Sequence, residues 1–259
     1  MNDILKDILA HKAIAVTARK KAIPAEELGK RVRFDAARDF KKALAGKDGV
    51  NIIAEIKKAS PSAGIIREDF DPAGIARQYT EGGAAAISVL TEEKYFKGDV
   101  SYLDLARRNS NLPILCKDFI IDPYQLAEAA ASGADAALLI AAILERDKLE
   151  ELIKAANGLG LCPLVEVHDE YELSQALSAG ADVIGINNRN LKTLEVNIET
   201  ALELAGALPA GKTAVVESGI KSRGDIERYL KKGVNNFLIG ETLMRSKSIT
   251  SALKELKNG

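Results

Sequence analysis

Residues 161–187 read LCPLVEVHDEYELSQALSAGADVIGIN, and this stretch decides the fold. The run 161–167 suits a buried strand, 169–179 has the amphipathic pattern of a helix, and 182–187 is a second β-branched run. Gly-Ala-Asp at 180–182 joins the helix to the second strand. A glycine there suits a helix C-terminus, where a positive φ carries little strain. Strand, helix and strand of these lengths make one parallel βαβ unit.

The unit repeats in both directions. Further strand candidates are 51–57, 84–90, 113–117, 135–140, 212–217 and 235–239. Helical patterns occupy 72–82, 122–132, 145–158, 197–207, 222–232 and 247–257, and Gly-Ala-Asp recurs at 133–135. Eight strands in 259 residues predict an α/β fold, a (β/α)8 TIM barrel with a helical N-terminal extension. A doubly wound open sheet is the alternative, disfavoured because no GxGxxG or P-loop follows the first strand. The expected organisation is one domain over 1–259, with the extension at 1–48 and the barrel at 49–259.

The extension reads as two or three helices with an apolar stripe at Ile4, Leu5, Ile8 and Leu9. It is rich in Lys20, Lys21, Lys30, Arg31, Arg33, Lys41 and Lys42, and is expected to be a solvated cap held by packing alone. The other reading is a lid that adds contacts near the site. Apolar residues make up 47% of the chain, enough for a large core, yet no apolar run reaches the roughly 18 residues of a membrane helix. The opening MNDILKDILAHK lacks the regions of a signal peptide. With two cysteines and a net charge of −1, the chain is expected to be cytoplasmic and to bind neither nucleic acid nor membrane.

Side chains two apart on a strand share a face. Barrel active sites lie at the C-terminal ends of the strands. There the sequence places Glu55 and Lys57, Lys117, Glu166, Asn187 followed by Arg189, and Glu217 followed by Ser218. The same parity turns Ile53, Leu115, Leu164, Gly185 and Val215 inward and Ile52, Ala54, Ile56, Ile184 and Ile186 toward the helices. Three cations and three carboxylates thus gather at one mouth. Converging buried charges are costly as mere structure, so the set reads as catalytic.

After the seventh and eighth strands come Glu217-Ser218-Gly219-Ile220 and Ile239-Gly240-Glu241-Thr242-Leu243. In barrels these loops commonly bind phosphate through backbone N–H groups. Ser218 and Thr242 offer hydroxyls, and Lys57 or Arg189 offers charge. His168 reads as a capping or surface residue, and Cys116 as core. His11 and His168 make no zinc site and no acidic pair suggests magnesium, so no metal and no cofactor are expected.

IIAEIKKASPSAG (52–64), LTEEKYFKGD (90–99), LCKDFIID (115–122), LVEVH (164–168), IGINNRNL (184–191), VVESGI (215–220) and FLIGETLM (237–244) resemble indole-3-glycerol phosphate synthases. The resemblance covers essentially the whole chain and looks like the monofunctional form. It implies conversion of 1-(2-carboxyphenylamino)-1-deoxyribulose 5-phosphate to indole-3-glycerol phosphate, CO₂ and water, in tryptophan biosynthesis. By the same resemblance Lys117 is the general acid, Glu166 the general base and Lys57 the partner of the substrate carboxylate, with Glu55, Asn187 and Glu217 as further polar site residues. Ser60, Arg189, Ser218, Gly219, Gly240 and Glu241 match the substrate- and phosphate-binding region. Phe96, Phe119, Leu138, Leu164 and Leu191 match the aromatic pocket. Glu241 stands where many relatives have Ser, so its carboxylate is expected to turn away from the anion. A nearby Lys57 is expected to lower the Lys117 pKa from ~10.4 toward ~7–8, where an ammonium delivers a proton well. The loop from Lys58 to Gly64 is a candidate lid, and the protein is expected to act as a monomer on a phosphorylated small molecule. Related barrels that isomerise or cyclise phosphorylated precursors would carry Cys or Asp at the end of the first strand, against Glu-Ile-Lys here. A non-catalytic scaffold could keep the phosphate loops, but would have no need of both Lys117 and Glu166.

Overall fold

The structure is a computed structural model describing residues 3–32, 37–46, 49–191 and 193–259. Arg33 and residue 48, both named in the reading of the extension, lie outside the described residues.

Among the described residues three helices precede the barrel: α1 (Asp3–Ala22), α2 (Ala25–Gly29) and α3 (Phe40–Ala43). The strand β1 (Asn51–Ile56) leads to a small antiparallel hairpin, β2 (Ala59–Ser60) with β3 (Gly64–Ile65), then α4 (Pro72–Gly82). Next come β4 (Ala86–Leu90), α5 (Ser101–Asn109), β5 (Ile114–Lys117), α6 (Pro123–Ala131), β6 (Ala136–Ile140) and α7 (Arg146–Gly158). The second half continues with β7 (Cys162–Val167), α8 (Glu170–Ser178), β8 (Val183–Asn187), α9 (Glu199–Gly206), β9 (Thr213–Glu217) and α10 (Arg223–Leu230). It ends with β10 (Asn236–Ile239), α11 (Glu241–Met244) and α12 (Ile249–Asn258).

Eight of these strands, all parallel, close into a barrel in the order β1-β10-β9-β8-β7-β6-β5-β4, with β4 back against β1. The (β/α)8 expectation holds. Each strand begins within one or two residues of its expected start. Outside the expected elements are α5, the β2–β3 hairpin and the one-turn α11. Between 90 and 113 the sequence reading names no helix, yet α5 forms there and buries Leu103 and Ala106. The 58–64 loop in turn contains most of the hairpin, held by backbone pairing of Ala59 with Ile65.

Alternation along the strands divides the core in two. Ile52, Ala54, Ile56, Cys116, Ile184 and Ile186 pack outward against the helices. Ile53, Leu115, Leu164, Val183, Val215 and Leu238 fill the barrel interior. Burying each of these large apolar side chains contributes about 1.5–3 kcal/mol. Gly133 and Gly180, of the two Gly-Ala-Asp turns, both take φ +91°. Their aspartates then diverge. Asp135 is buried, salt-bridged to Arg107 at 2.7 Å, while Asp182 is exposed and pairs with Lys41 and Lys212.

The extension closes both ends of the barrel. Phe40 and Leu44 join the interior cluster, beside the start of β1, where the Asn51 amide donates to the Leu44 carbonyl. Leu5 and Ile8 of α1 join that cluster as well, and with Ile4 they line the cavity at the opposite mouth. Packing alone therefore understates the role of α1. Its apolar stripe forms part of the wall of the site.

Candidate active site

A cavity opens at the C-terminal ends of the barrel strands, and a buried charge cluster forms its floor. Glu55, near the end of β1, is 3% exposed. One of its oxygens lies 3.2 Å from Lys57 Nζ and the other accepts from Ser88 Oγ, its register partner on β4. The buried Tyr79 of α4 fixes this strand end by donating its hydroxyl to the Glu55 carbonyl at 2.8 Å. Lys117 ends β5 and reaches inward, with Nζ 3.2 Å from Glu166 Oε2 and 3.3 Å from Glu217 Oε2. Asn187 of β8 hydrogen-bonds the Glu166 carboxylate and accepts from the Arg189 backbone N–H at 3.0 Å.

Burial opposes the charge on Lys117, but the carboxylates of Glu217, Glu166 and Glu55 outweigh it and push its pKa up. This corrects the expectation of a lowered Lys117 pKa. Three carboxylates surround the ammonium, whereas Lys57 is drawn to Glu55. Burial also favours the neutral form of Glu166, yet Lys117, His168 and Asn187 overcome it and hold the acid well below the usual carboxylate range. For Glu217, burial together with the negative charges of Glu166 and Glu55 outweighs Lys117, and its pKa is pushed up to about 8. Two neighbouring carboxyls are thus driven apart, Glu166 toward the ionised form and Glu217 toward the protonated one. Acid–base sites are built on such splitting.

A second part of the rim is made of backbone. Ser218 and Gly219 take consecutive left-handed conformations, φ +64° and +83°. At Gly219 a Cβ would lie 2.7 Å from Val196 Cγ1, and at Gly240 one would lie 2.5 Å from Glu55 Oε1. Glycine is therefore required at both turns, and both line the cavity beside Ser218, Arg189, Ser60 and Glu241. The Glu241 carboxylate accepts from Arg245 Nε at 2.8 Å, one turn along. Thr242 differs from its expected part as an anion ligand, because its hydroxyl donates to the Ile220 carbonyl at 2.7 Å. Arg189 donates to the Leu194 carbonyl at 2.8 Å and is half-buried at the rim.

The apolar wall contains Phe96 and Phe119, ring centroids 6.2 Å apart, with Leu138 and Leu191. Leu164 is a correction. It lies two residues before Glu166 on the same inward face, one layer deeper, and is fully buried in the barrel interior rather than in the cavity wall. Cys116 is buried with its thiol pKa pushed up to about 12, chiefly by burial, so it is core as expected.

Two features escaped the sequence reading. His168 is no surface residue: its Nε2 lies 3.3 Å from Glu166 Oε1 and its Nδ1 lies 2.9 Å from Glu172. The spacing Glu166, His168, Glu172 was the available signal. Lys12 of α1 is fully buried, with Nζ 2.8 Å from Glu93 and 2.9 Å from Asp118. Lys12 continues the stripe of Leu5 and Ile8 at helical spacing, and a lysine on an apolar stripe marks a buried pair. Arg19 extends the network to Glu93 and Glu128, so α1 is tied by charge to the loops that carry Phe96 and Phe119. Among the described residues, His11, Glu92 and Glu93 form one grouping of metal-ligand types. The Glu92 carboxylate already accepts from the backbone of Lys94, Tyr95 and Phe96, and Glu93 is paired with Lys12 and Arg19. The two carboxylates are thus satisfied by the protein itself, while His11 Nδ1 is buried without a hydrogen-bond partner among the described residues.

A closed parallel barrel, a split acid–base pair around a lysine and two glycine turns after the last strands define a class, the (β/α)8 barrels built for acid–base chemistry on small molecules. Within it, the chain belongs to the indole-3-glycerol phosphate synthase family, whose profile matches residues 5–256. It is 48% identical over 259 residues to an indole-3-glycerol phosphate synthase of Burkholderia vietnamiensis, covering 99% of each chain. It is 49% identical over 261 residues to one of Neisseria meningitidis, covering 99% of this chain and 100% of that one. Among solved structures it resembles 3-hexulose-6-phosphate synthase from Salmonella typhimurium, with a TM-score of 0.62, 13% identity, and 80% and 96% of the two chains covered. Thiamine phosphate pyrophosphorylase from Pyrococcus furiosus gives a TM-score of 0.61 at 18% identity, over 81% and 95%. These two likenesses concern the fold alone. No helix among the described residues is long and apolar enough to cross a membrane.

Proposed function

We propose that this chain catalyses the reaction for which its family is named, closing the indole ring of 1-(2-carboxyphenylamino)-1-deoxyribulose 5-phosphate with loss of CO₂ and water. The observation that carries the reading is Lys117 Nζ held 3.2 Å from Glu166 and 3.3 Å from Glu217, two buried carboxyls whose pKa values are driven in opposite directions, beneath an aromatic wall. In this reading the phosphate sits at the Ser218–Gly219 and Gly240 turns, with Arg189 and Ser60 beside it, and the anthranilate ring lies against Phe96 and Phe119. Lys57 meets the substrate carboxylate.

Lys117 gives a proton to the ketone oxygen as the ring carbon that bears the carboxylate attacks. The ring nitrogen takes up the positive charge, and CO₂ leaves with its electrons flowing into that iminium. The substrate is its own electron sink. Dehydration then needs a base, which we assign to Glu166, and an acid for the departing hydroxyl. Each positioned acid or base is worth about 10²–10⁴ in rate. The raised pKa of Lys117 in the free protein fits a group kept fully protonated until substrate separates it from its carboxylates.

We propose further that the extension and barrel work as one domain, in the cytoplasm. A monomer suffices, since every group used above comes from one chain. Mixing the protein with the carboxyphenylamino-deoxyribulose phosphate should give indole fluorescence, against a low background because the chain has no Trp. Glu166→Gln should abolish it. Saturable binding without product would instead favour a scaffold that keeps the substrate pocket. Gly219→Ala tests the phosphate turn separately. An alanine must take φ +83° against Val196, so KM should rise roughly 5- to 30-fold, a penalty of one or two kcal/mol, with kcat little changed. An unchanged KM would move the phosphate elsewhere.

A further inference from the structure

The carboxylate assigned as base has a second, outer support. From Lys117 the contacts run through Glu166 to His168 Nε2 at 3.3 Å, and from His168 Nδ1 to Glu172 at 2.9 Å. Glu172 is on the first turn of α8, where its own N–H donates to the Asp169 cap. Its carboxylate also accepts from the His168 backbone N–H at 2.8 Å, so ring and backbone of His168 are gripped by one group. The His168 side chain is 11% exposed and that of Glu172 16%. The charged groups facing the ring are Glu166 from β7 and Glu172 from α8. The short turn Ala141–Ile143, which packs on both elements, brings only apolar residues.

We propose that His168, clamped by Glu172, is a positioning residue that keeps Glu166 ionised and aimed while Lys117 serves the substrate. The proposal rests on the reading of Glu166 as base. In the free protein two cations hold the Glu166 carboxylate, one at each oxygen. Once Lys117 turns to the ketone oxygen, His168 is the cation that remains beside a carboxylate that is 2% exposed, with Asn187 as its neutral hydrogen-bond partner. Without that cation, burial would favour the neutral acid, which cannot take a proton. Oε1 faces His168 Nε2 at 3.3 Å, a close contact without hydrogen-bond geometry, and Oε2 is left on the Lys117 side. Burial works against the imidazolium, but the two carboxylates outweigh it and push its pKa up to about 10.

The chain has two histidines, so ¹⁵N-histidine labelling gives two ring systems, assigned with a His11→Gln variant. The His168 ring should show the imidazolium pattern through pH 8. Glu172→Gln and Glu166→Gln should each lower its titration midpoint. In kinetics, His168→Asn should reduce kcat by up to about a hundredfold with KM near wild type, and raise the acid limb of the kcat–pH profile by roughly 1–3 units. Glu172→Gln should fall between it and wild type. A neutral His168 ring at pH 7, or a His168→Asn protein with wild-type kcat and pH profile, would overturn the proposal. The two readings separate cleanly. A Glu166→Gln protein that still turns over defeats the base assignment itself. An inactive Glu166→Gln beside an unaltered His168→Asn defeats only the positioning role.

Discussion

Lys117→Ala is expected to lower kcat by about 10²–10⁴-fold while leaving KM within a few-fold. The effect should lie at the upper end, because the substitution removes more than a proton donor. Glu166 and Glu217 both lean on this ammonium, at 3.2 and 3.3 Å. Without it the buried Glu217 loses its nearest cation, and Glu166 is left with the His168 ring and Asn187 alone. The variant thus loses its acid and one of the groups that hold its base ionised. Lys117→Arg should not rescue it, since a guanidinium does not give up its proton. Steady-state kinetics by indole fluorescence, with a binding titration of the product, separates the possibilities. A large rise in KM with kcat preserved would make Lys117 a binding group and sink the acid assignment.

Lys12→Ala is the second large effect, and it falls on stability. Lys12 is fully buried against Asp118, which is itself 8% exposed. Removing one partner of such a pair costs roughly 3–5 kcal/mol, because the other charge stays buried and uncompensated. Asp118 would keep the Thr91 hydroxyl at 2.7 Å and the Phe119 N–H, which places the loss toward the lower end. A fall in Tm of about 10 °C follows for a chain of this size. Adding Asp118→Asn to Lys12→Met should recover part of the loss, since a neutral amide carries no buried charge. Activity should fall too, because α1 supplies Leu5 and Ile8 to the cavity wall and Asp118 adjoins Lys117. If the single variant loses less than about 1 kcal/mol, the pair is worth no more than a surface contact.

The barrel was legible because its signals are local. Each strand announces itself by a short β-branched run, each helix by its own period, and the Gly-Ala-Asp turns by the one residue type that takes φ +91° without strain. Strand parity carried the reading further. Alternation alone placed Glu55, Lys117, Glu166, Asn187 and Glu217 on the inner face, and they do converge on one cavity. Parity also turned Leu164 into the barrel interior, where it lies; it was the family resemblance that assigned it to the aromatic pocket. The two-residue strands of the hairpin are too short to show a period, whereas α5 was passed over although it is as long as α8 and buries as many residues.

What the sequence by itself determined is therefore the fold class, the family resemblance and the roster of charged groups at the mouth. All three depend on residue identity and on spacing along the chain. Tertiary structure alone decided the charge states. Whether Lys117 is made more or less acidic depends on whether Lys57 or three carboxylates stand nearest, and distances of 3.2 and 3.3 Å settle that against the expectation. It likewise turned His168 from a rim residue into the outer partner of Glu166, and Lys12 from one more helix lysine into a buried tie. Electrostatic energy falls with distance and with solvent, and both are properties of residues brought together from far apart in the chain.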